Sequence, residues 1–355
     1  MLMCKRIFAH QTSEQGDVPF YKIGTIGAEP DAYISRELFE DYKAKYNYPR
    51  EGEVMVTCAG TVGKTIVFNG DDSYYQDSNI VWLSNPKQLY LNSFLNYYLS
   101  RVNWNKLNST TITRIYNDNL RELIIKYPSV EEQEKIVSLL SLLDQRIAVQ
   151  NKVIEDLKKL KTALCEHLYN ETNPNCRIGD IVEQSSVRNR TKNALTVLSV
   201  SNRYGFIAQT EQFEERSIAS EDTTNYKVVS LNDFAYNPAR INVGSIARLK
   251  SFDKGIVSPM YICFRCKDGT YPEFLEHFFS TKSFSLEMEK RLEGSVRMCL
   301  SYEGLCNIQI FLPPLVQQKS ISEKISALNR KVQLEENYLY ALINQKQYLL
   351  SKLFI

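Results

Sequence analysis

Histidine, the side chain most often used to hold a metal or move a proton at neutral pH, is scarce in this chain. Only three histidines occur in 355 residues, His10, His167 and His277, and none stands at ligand or triad spacing from another. The eight cysteines are scattered at positions 4, 58, 165, 176, 263, 266, 299 and 306. That density is far below a small disulfide scaffold, so reduced thiols are expected. No stretch reaches the roughly 18 apolar residues of a membrane span, and Met1-Leu2-Met3-Cys4-Lys5 has no apolar signal core. A cytoplasmic protein is expected. Charge of one sign is also missing: 43 Lys and Arg face 41 Asp and Glu, leaving +2. This excludes a general nucleic-acid coat protein, so any DNA contact must come from local placement of side chains.

Cofactor and catalytic motifs are missing too. Gly60-Thr61-Val62-Gly63-Lys64-Thr65 suggests a phosphate loop, but Cys58 stands where that pattern needs its first glycine. A tight turn after a strand, with Lys64 near a DNA phosphate, is the better reading. Cys263 and Cys266 would point to opposite faces of one strand, which argues against a shared zinc ion. There is no Gly-rich cofactor loop, and Asn237-Pro238-Ala239-Arg240 fails the Asn-Pro-Pro-aromatic pattern of DNA methylation. No cofactor and no catalysis are expected.

What is present is a globular composition, 43% hydrophobic and 24% charged, and an internal repeat. The segment starting Pro128-Ser129-Val130-Glu131-Glu132-Gln133 aligns, at an offset of 185 residues, with the one starting Pro313-Pro314-Leu315-Val316-Gln317-Gln318. The match continues without a gap. Ile136, Leu140, Leu143, Ile147, Ile154, Leu157, Leu164 and Leu168 fall opposite Ile321, Ile325, Leu328, Val332, Leu339, Leu342, Leu349 and Leu353. Steps of four and three mark an amphipathic helix with a narrow apolar seam, a coiled-coil candidate. Residues 136–168 alone would span about 50 Å at 1.5 Å per residue, the length of a spacer.

Gln150 and Lys161 interrupt the first seam, and Glu335 and Lys346 the second. One antiparallel register would set Gln150 opposite Lys346 and Lys161 opposite Glu335. Such polar layers disfavour slipped alignments. The alternatives are that both lysines extend outward and fix no register, or that the helices pair with a partner's helices.

The segments before each helix are similar in size and mixed in character. Short apolar runs at 53–57, 78–83, 196–200 and 260–264 predict strands bounded by Gly, Asn, Asp and Pro. Helices are expected near 90–99 and over 272–291. The fold class is therefore α/β of the α+β type. A globular domain over 1–127 is followed by a spacer helix over 128–172, then a second domain over 173–312 and a second helix over 313–355. Arg177-Ile178-Gly179-Asp180-Ile181-Val182 reads as an opening strand of the second domain that the first lacks, so the first is expected to be short by a strand.

Two globular domains, each trailed by the same heptad helix, resemble the specificity subunits of type I restriction-modification systems. The Pro-x-x-Glu-Gln type helix start at 128–133 and its weaker copy at 313–318 carry the likeness most specifically. Gly52-Glu53-Val54-Met55-Val56-Thr57, Gly60-Thr61-Val62-Gly63-Lys64 and Tyr75-Gln76-Asp77-Ser78-Asn79 resemble the strand and turn of these recognition domains. Asn232 to Arg240, leading to Gly244-Ser245-Ile246-Ala247, is a differently worded counterpart. The resemblance implies two target-recognition domains related by a pseudo-twofold and separated by an antiparallel coiled coil. Each would read one half of a split double-stranded DNA target. The helices would dock methyltransferase subunits, two in number, and a restriction and translocation subunit would join. A coiled-coil scaffold and a fragment of a self-sufficient DNA methyltransferase are the rival readings.

Side-chain chemistry nominates the contact residues. Asn and Gln read adenine, Arg reads guanine, and Lys and Tyr meet phosphates. Lys64, Tyr75, Gln76, Asn79 and Arg114 are the candidates in the first domain, and Asn202, Arg203, Asn237, Arg240 and Arg297 in the second. Segments 110–114 and 295–299, at matching offsets before the helices, are further candidates. Helix or partner interfaces are assigned to Gln133, Ile136, Leu140, Leu143, Ile147, Gln150 and Lys161, and to Gln318, Ile321, Ile325, Leu328, Glu335 and Lys346. Glu132 becomes Gln317 in the second copy, so a partner contact needing that carboxylate would exist only once.

If the helices space two half-sites, adding one heptad to each lengthens them by about 10 Å at 1.5 Å per residue. The gap in the methylated target should then widen by about three base pairs of 3.4 Å. Mapping methylated bases checks this, and an unchanged gap removes the spacer role.

Overall fold

The computed structural model describes residues 1–85, 89–104, 114–170, 173–190, 195–209, 222–294 and 297–354. Packing divides the chain into two units, Met1–Asn151 with Asn337–Ile355, and Lys152–Glu336. The sequence pattern set the long helices apart as separate segments, whereas by packing each helix contributes one part to each unit.

In the first unit β1 (Val18–Tyr21) lies between β2 (Tyr33–Ile34), antiparallel, and β5 (Tyr74–Tyr75), parallel. The strand β3 (Val54–Thr57) lies between β4 (Thr65–Val67) and β6 (Ile80–Leu83), antiparallel to both. Every residue of β3 is buried because its alternating side chains serve two cores. Val54 and Val56 pack with Phe94, Leu95 and Leu99 of α2 (Asn92–Ser100). Met55 packs with Phe39 of α1 (Arg36–Lys45) and with Trp82. A short helix, α3 (Asn117–Arg121), precedes the first long helix, α4 (Val130–Asn170).

The second unit repeats this plan with additions. It opens with β7 (Cys176–Arg177) and α5 (Ile178–Ile181). One sheet runs β10 (Gly205–Ala208), β9 (Val197–Ser201), β14 (Lys254–Val257), β11 (Lys227–Ser230). The other runs β13 (Ile246–Arg248), β12 (Phe234–Tyr236), β15 (Ile262–Cys266), β8 (Val182–Ser185). The parallel pair β9–β14 answers β1–β5, and the trio β13–β12–β15 answers β4–β3–β6. Beyond these come α6 (Pro272–Phe278), α7 (Lys282–Glu289), α8 (Tyr302–Cys306), β16 (Gln309–Ile310) and the last helix, α9 (Leu315–Leu353).

Two sequence expectations change here. The run 177–182 is not a strand: Ile178–Ile181 forms a helical turn and the strand β8 starts at Val182, because Arg177 N–H donates to the Asp180 carboxylate and caps the turn. In the first unit Leu2 makes a single antiparallel bridge to Trp82, where β8 flanks β15 in the second. The stretch 272–291 is broken into two helices, since the Thr281 side chain accepts from Phe284 N–H and starts α7 afresh.

A second repeat emerges once the helices are placed. Asn92–Ser100 matches Pro272 onward at an offset of 180, so Phe94, Leu95 and Tyr97 answer Phe274, Leu275 and His277. The change of offset from 185 to 180 conceals it in the bare sequence.

The long helices are anchored by one device used twice. Gln133 is fully buried; its Oε1 accepts from Leu91 N–H at 2.8 Å and its Nε2 donates to the Pro128 carbonyl at 2.9 Å. Gln318, also fully buried, accepts from Tyr271 N–H at 2.7 Å and donates to the carbonyls of Pro313 at 2.8 Å and Gly269 at 2.9 Å. Leu91 and Tyr271 are the N-caps of α2 and α6, so each amide occupies a helix terminus where N–H groups lack intrahelical partners. Both glutamines were expected at a helix or partner interface; their burial makes them internal clamps.

Within each unit the helix stretches run antiparallel. In the first, Ile136 and Leu140 of α4 pack with Leu349, Leu353 and Phe354, while Asp144 pairs with Lys346 and Arg146 donates to the Tyr338 hydroxyl. In the second, Cys165 and Tyr169 pack with Ile321 and Ile325, and Lys158 pairs with Glu336 at 2.7 Å. Lys346 therefore meets Asp144 rather than Gln150, as a carboxylate is the better partner for an ammonium. Glu335 pairs within its own helix with Lys331.

Replacing Gln318 by Ala should destabilise the chain by about 1–3 kcal/mol, since it orphans one buried donor and two carbonyls. Lys319→Ala, one residue on and exposed, should change stability by less than about 0.5 kcal/mol. Urea unfolding of the full chain compares the two, and equal midpoints would remove the clamp role.

Candidate nucleic-acid interface

In the first unit three connections lie against one another: residues 22–28 after β1, the β3–β4 turn and the β5–β6 turn. Lys64 donates from Nζ to the Ile26 carbonyl at 2.6 Å, and Ile23 N–H donates to Gln76 Oε1 at 3.3 Å. Cys58 N–H donates to the Asn79 carbonyl at 2.7 Å, and Ile115 N–H to the Cys58 carbonyl at 2.8 Å. The Arg114 guanidinium reaches Asn79 Oδ1 at 3.4 Å. Four of the five sequence-nominated residues, Lys64, Gln76, Asn79 and Arg114, are thus gathered at one edge.

Backbone strain marks the same edge. Ser78, between Gln76 and Asn79, has φ 54°, a left-handed conformation uncommon for a residue with a Cβ. Gly63 has φ 82°, and a Cβ there would stand 2.0 Å from Trp104 Cδ1, so only glycine fits. Beside the turn a recess of about 350 Å³ is lined by Arg6, Phe8, Lys22, Gln76 and Asn79. Phe8 is half exposed and stacks on His10 at 5.8 Å. Arg6, Phe8 and Lys22 carry no sequence signal of their own; only the fold brings them to the edge.

Two nominations in this unit serve other purposes. Tyr75 is buried, its hydroxyl 2.7 Å from Ser73 Oγ, and burial pushes its ionisation up to about 12. It supports the edge from within the core. Lys64 spends its ammonium on the Ile26 carbonyl, which ties two turns together. The Gly60–Thr65 stretch joins antiparallel strands and no helix follows, which is not the strand-to-helix geometry of a phosphate loop.

The second unit presents the corresponding edge. Asn202, Arg203 and Tyr204 form the β9–β10 turn, all exposed, with the Arg203 guanidinium over the Tyr204 ring at 5.3 Å. Gly244, with φ 87°, brings the β12–β13 connection against Asn202, whose Cβ lies 3.6 Å from where a Gly244 Cβ would be. Arg240 in that connection is exposed and, among the described residues, its side chain has no partner. Arg297 is exposed on a loop closed by the Glu293–Cys299 bridge, and Leu300 N–H donates to the Pro238 carbonyl at 3.1 Å. That bond answers Ile115 to Cys58 in the first unit. Asn237 is nine-tenths buried and its Oδ1 accepts from Ala239 N–H at 3.1 Å, which makes it a turn former rather than a contact. Residues 110–113 and 295–296 of the other nominated segments lie outside the described residues.

Cys263 and Cys266 fall on opposite faces of β15 in different cores, and burial raises each thiol to about 12. They cannot grip one ion. No helix among the described residues is long and apolar enough to cross a membrane.

Comparison with known proteins bears on this arrangement. The sequence model of the type I restriction modification DNA specificity domain matches residues 2–159 and 170–345. A putative type I restriction enzyme specificity subunit of Haemophilus influenzae is 48% identical over 155 residues, 44% of this chain, and the matched stretch covers 40% of that relative's length. The crystal structure of a type I restriction-modification S subunit from M. genitalium covers 99% of this chain and 92% of its own, with TM-score 0.58 and 16% identity. A chain from a structure on complex assembly and conformational transition of the type I R-M system gives TM-score 0.61 at 15% identity, covering 95% of this chain and 91% of that one. At these identities the structural likeness concerns the fold.

Arg240→Ala and Arg297→Ala should each move stability by less than about 0.5 kcal/mol while weakening duplex binding. Asn237→Ala should cost about 0.5–1.5 kcal/mol by removing the turn bond from the part-buried Ala239 N–H. Urea melts beside duplex anisotropy test the contrast; a fully stable Asn237→Ala variant would sink the turn assignment.

Proposed function

The chain belongs to the type I restriction modification DNA specificity family, and from that premise we propose that it is the DNA-reading subunit of a restriction-modification complex. It recognises a bipartite duplex target, one half through each edge described above, and it performs no chemistry itself. Methylation of adenine, or cleavage, is carried out by the subunits it directs. The observation that carries this reading is the duplicated edge: on matched strands, Gln76, Asn79 and Arg114 stand on the β5–β6 turn and the segment before α3 in one unit, and Asn202, Arg203, Arg240 and Arg297 on the β9–β10 turn, the β12–β13 connection and the 293–299 loop in the other. Equivalent scaffolds with different reading residues suit two different half-sites.

Partner docking is proposed on the long helices. Leu139, Leu142 and Val149 of α4 are 44%, 56% and 63% exposed, off the seam that pairs with α9. Exposed apolar side chains along one helix favour a protein partner, and two methyltransferase subunits with restriction and translocation subunits are the proposed assembly. The domains over 1–127 and 173–312, with helices over 128–172 and 313–355, are the proposed functional division, and the cytoplasm is the proposed location.

Co-expression of the chain with its methyltransferase subunit, followed by single-molecule mapping of methylated adenines, is expected to show a split motif with a fixed gap. Arg240→Ala should then relax one half only. A stable complex with no split motif would favour a pure coiled-coil scaffold, and cofactor binding by the isolated chain would favour a methyltransferase fragment.

A further inference from the structure

The internal repeat exposes an uncompensated charge. Lys161 and Lys346 are equivalent at the offset of 185, and so are Asp144 and Asn329. In the first unit Lys346 forms an ion pair with Asp144, and that carboxylate also accepts from the Tyr97 hydroxyl at 2.8 Å. In the second unit the carboxylate is replaced by the neutral Asn329, and His277 stands in the place of Tyr97. Lys161 is half-buried and, among the described residues, its ammonium has neither ion pair nor hydrogen bond.

Lys161 and Asn329 line a recess of about 860 Å³ together with Arg203, Arg330, Ser326 and His277. Two carboxylates, Glu273 and Glu276, share this recess with five cations, Arg248 and Lys250 among them, so it is net positive. Glu276 pairs with Arg248 at 2.8 Å and Lys250 at 2.7 Å, and Glu273 accepts from Ser326 and lies 3.9 Å from His277 Nε2. Burial lowers the His277 ionisation, so that ring adds no positive charge at neutral pH. Arg330 likewise has no partner among the described residues. Three cations, Lys161, Arg203 and Arg330, thus border one polar recess without a carboxylate of their own. A half-buried lysine so placed favours an anion. Arg203 belongs to the β9–β10 turn, so the recess adjoins the edge that presents Asn202, Gly244 and Arg240.

We propose that this recess takes a backbone phosphate of the duplex read by the second unit, with Lys161 and Arg330 of the long helices supplying the charge. The inference rests on the DNA-reading function and deepens it: the helices contribute to DNA affinity in the second unit, and the first unit has no such site because Asp144 neutralises Lys346. A phosphate contact fixes position but carries no base information, so it acts on affinity and salt dependence and leaves the recognised sequence unchanged.

The test compares the full chain, in complex with its methyltransferase subunits, as wild type, Lys161→Gln and Asn329→Asp. The second variant keeps the lysine and restores the counter-charge found in the first unit. Duplex affinity is measured against salt concentration, on target and non-target duplexes. Each variant should weaken binding to both duplexes alike, flatten the slope of log K against log salt by about 0.9 per lost phosphate contact, and methylate the wild-type motif. Wild-type slopes in both variants, with the split motif intact, would overturn this inference and leave the DNA-reading function standing. A changed motif in Asn329→Asp would also overturn it, since that would mark a base contact. Absence of salt-dependent duplex binding by the wild-type complex would overturn both.

Discussion

A buried amide holds each long helix to its globular partner. Gln133 and Gln318 each accept from the N-cap amide of a domain helix and donate to the carbonyl five residues back. The side chain answers two backbone groups that burial would otherwise leave unmet. Hydrophobic packing alone fixes such a contact poorly, because an apolar seam can slide; a hydrogen-bonded amide has one position. Everything else follows from that anchor: the direction in which α4 and α9 leave their domains, the burial of Phe354 against Phe94 at 4.9 Å, and the placement of Tyr169 so that its hydroxyl reaches the Phe274 carbonyl at 2.6 Å.

The near-neutral net charge is resolved locally. Acids and bases along the outer helix faces pair with each other, as Lys135 does with Glu131 and Lys159 with Glu155, and such pairs generate little field at a distance. The two candidate edges are assembled from amides, guanidiniums and aromatic rings. Pseudo-symmetry then permits divergence without loss of the fold. Exchanging Asp144 for Asn329 leaves the seam intact yet alters the charge beside it, so the two halves can differ in chemistry while sharing a backbone plan.

Much of this was legible in the bare sequence, and the reasons are specific. The steps of four and three through Leu140, Leu143 and Ile154 predicted buried positions, and these are buried, because an apolar seam is a local property of one helix. The strands over 53–57, 78–83 and 196–200 correspond to β3, β6 and β9 within a few residues. The halves of the α6–α7 stretch were fused, since a Thr cap inside an apolar run resembles a helical residue until its φ and ψ are known.

The sequence by itself determined the duplication, the mixed α/β domains and the two long helices, because periodicity and repeats are written along the chain. It also nominated Gln76, Asn79, Arg114, Asn202, Arg240 and Arg297, which the fold places at the two edges. Only the tertiary structure decided which nominated side chains are free to act. Tyr75 and Asn237 turned inward, and Lys64 was tied to a carbonyl contributed from 38 positions away. Lys346 found Asp144 across 202 residues, while Lys161 found no carboxylate among the described residues. Those outcomes depend on which groups meet across long separations, and a polar residue carries no mark in the sequence of whether its partner will be a carboxylate, a backbone carbonyl or a ligand.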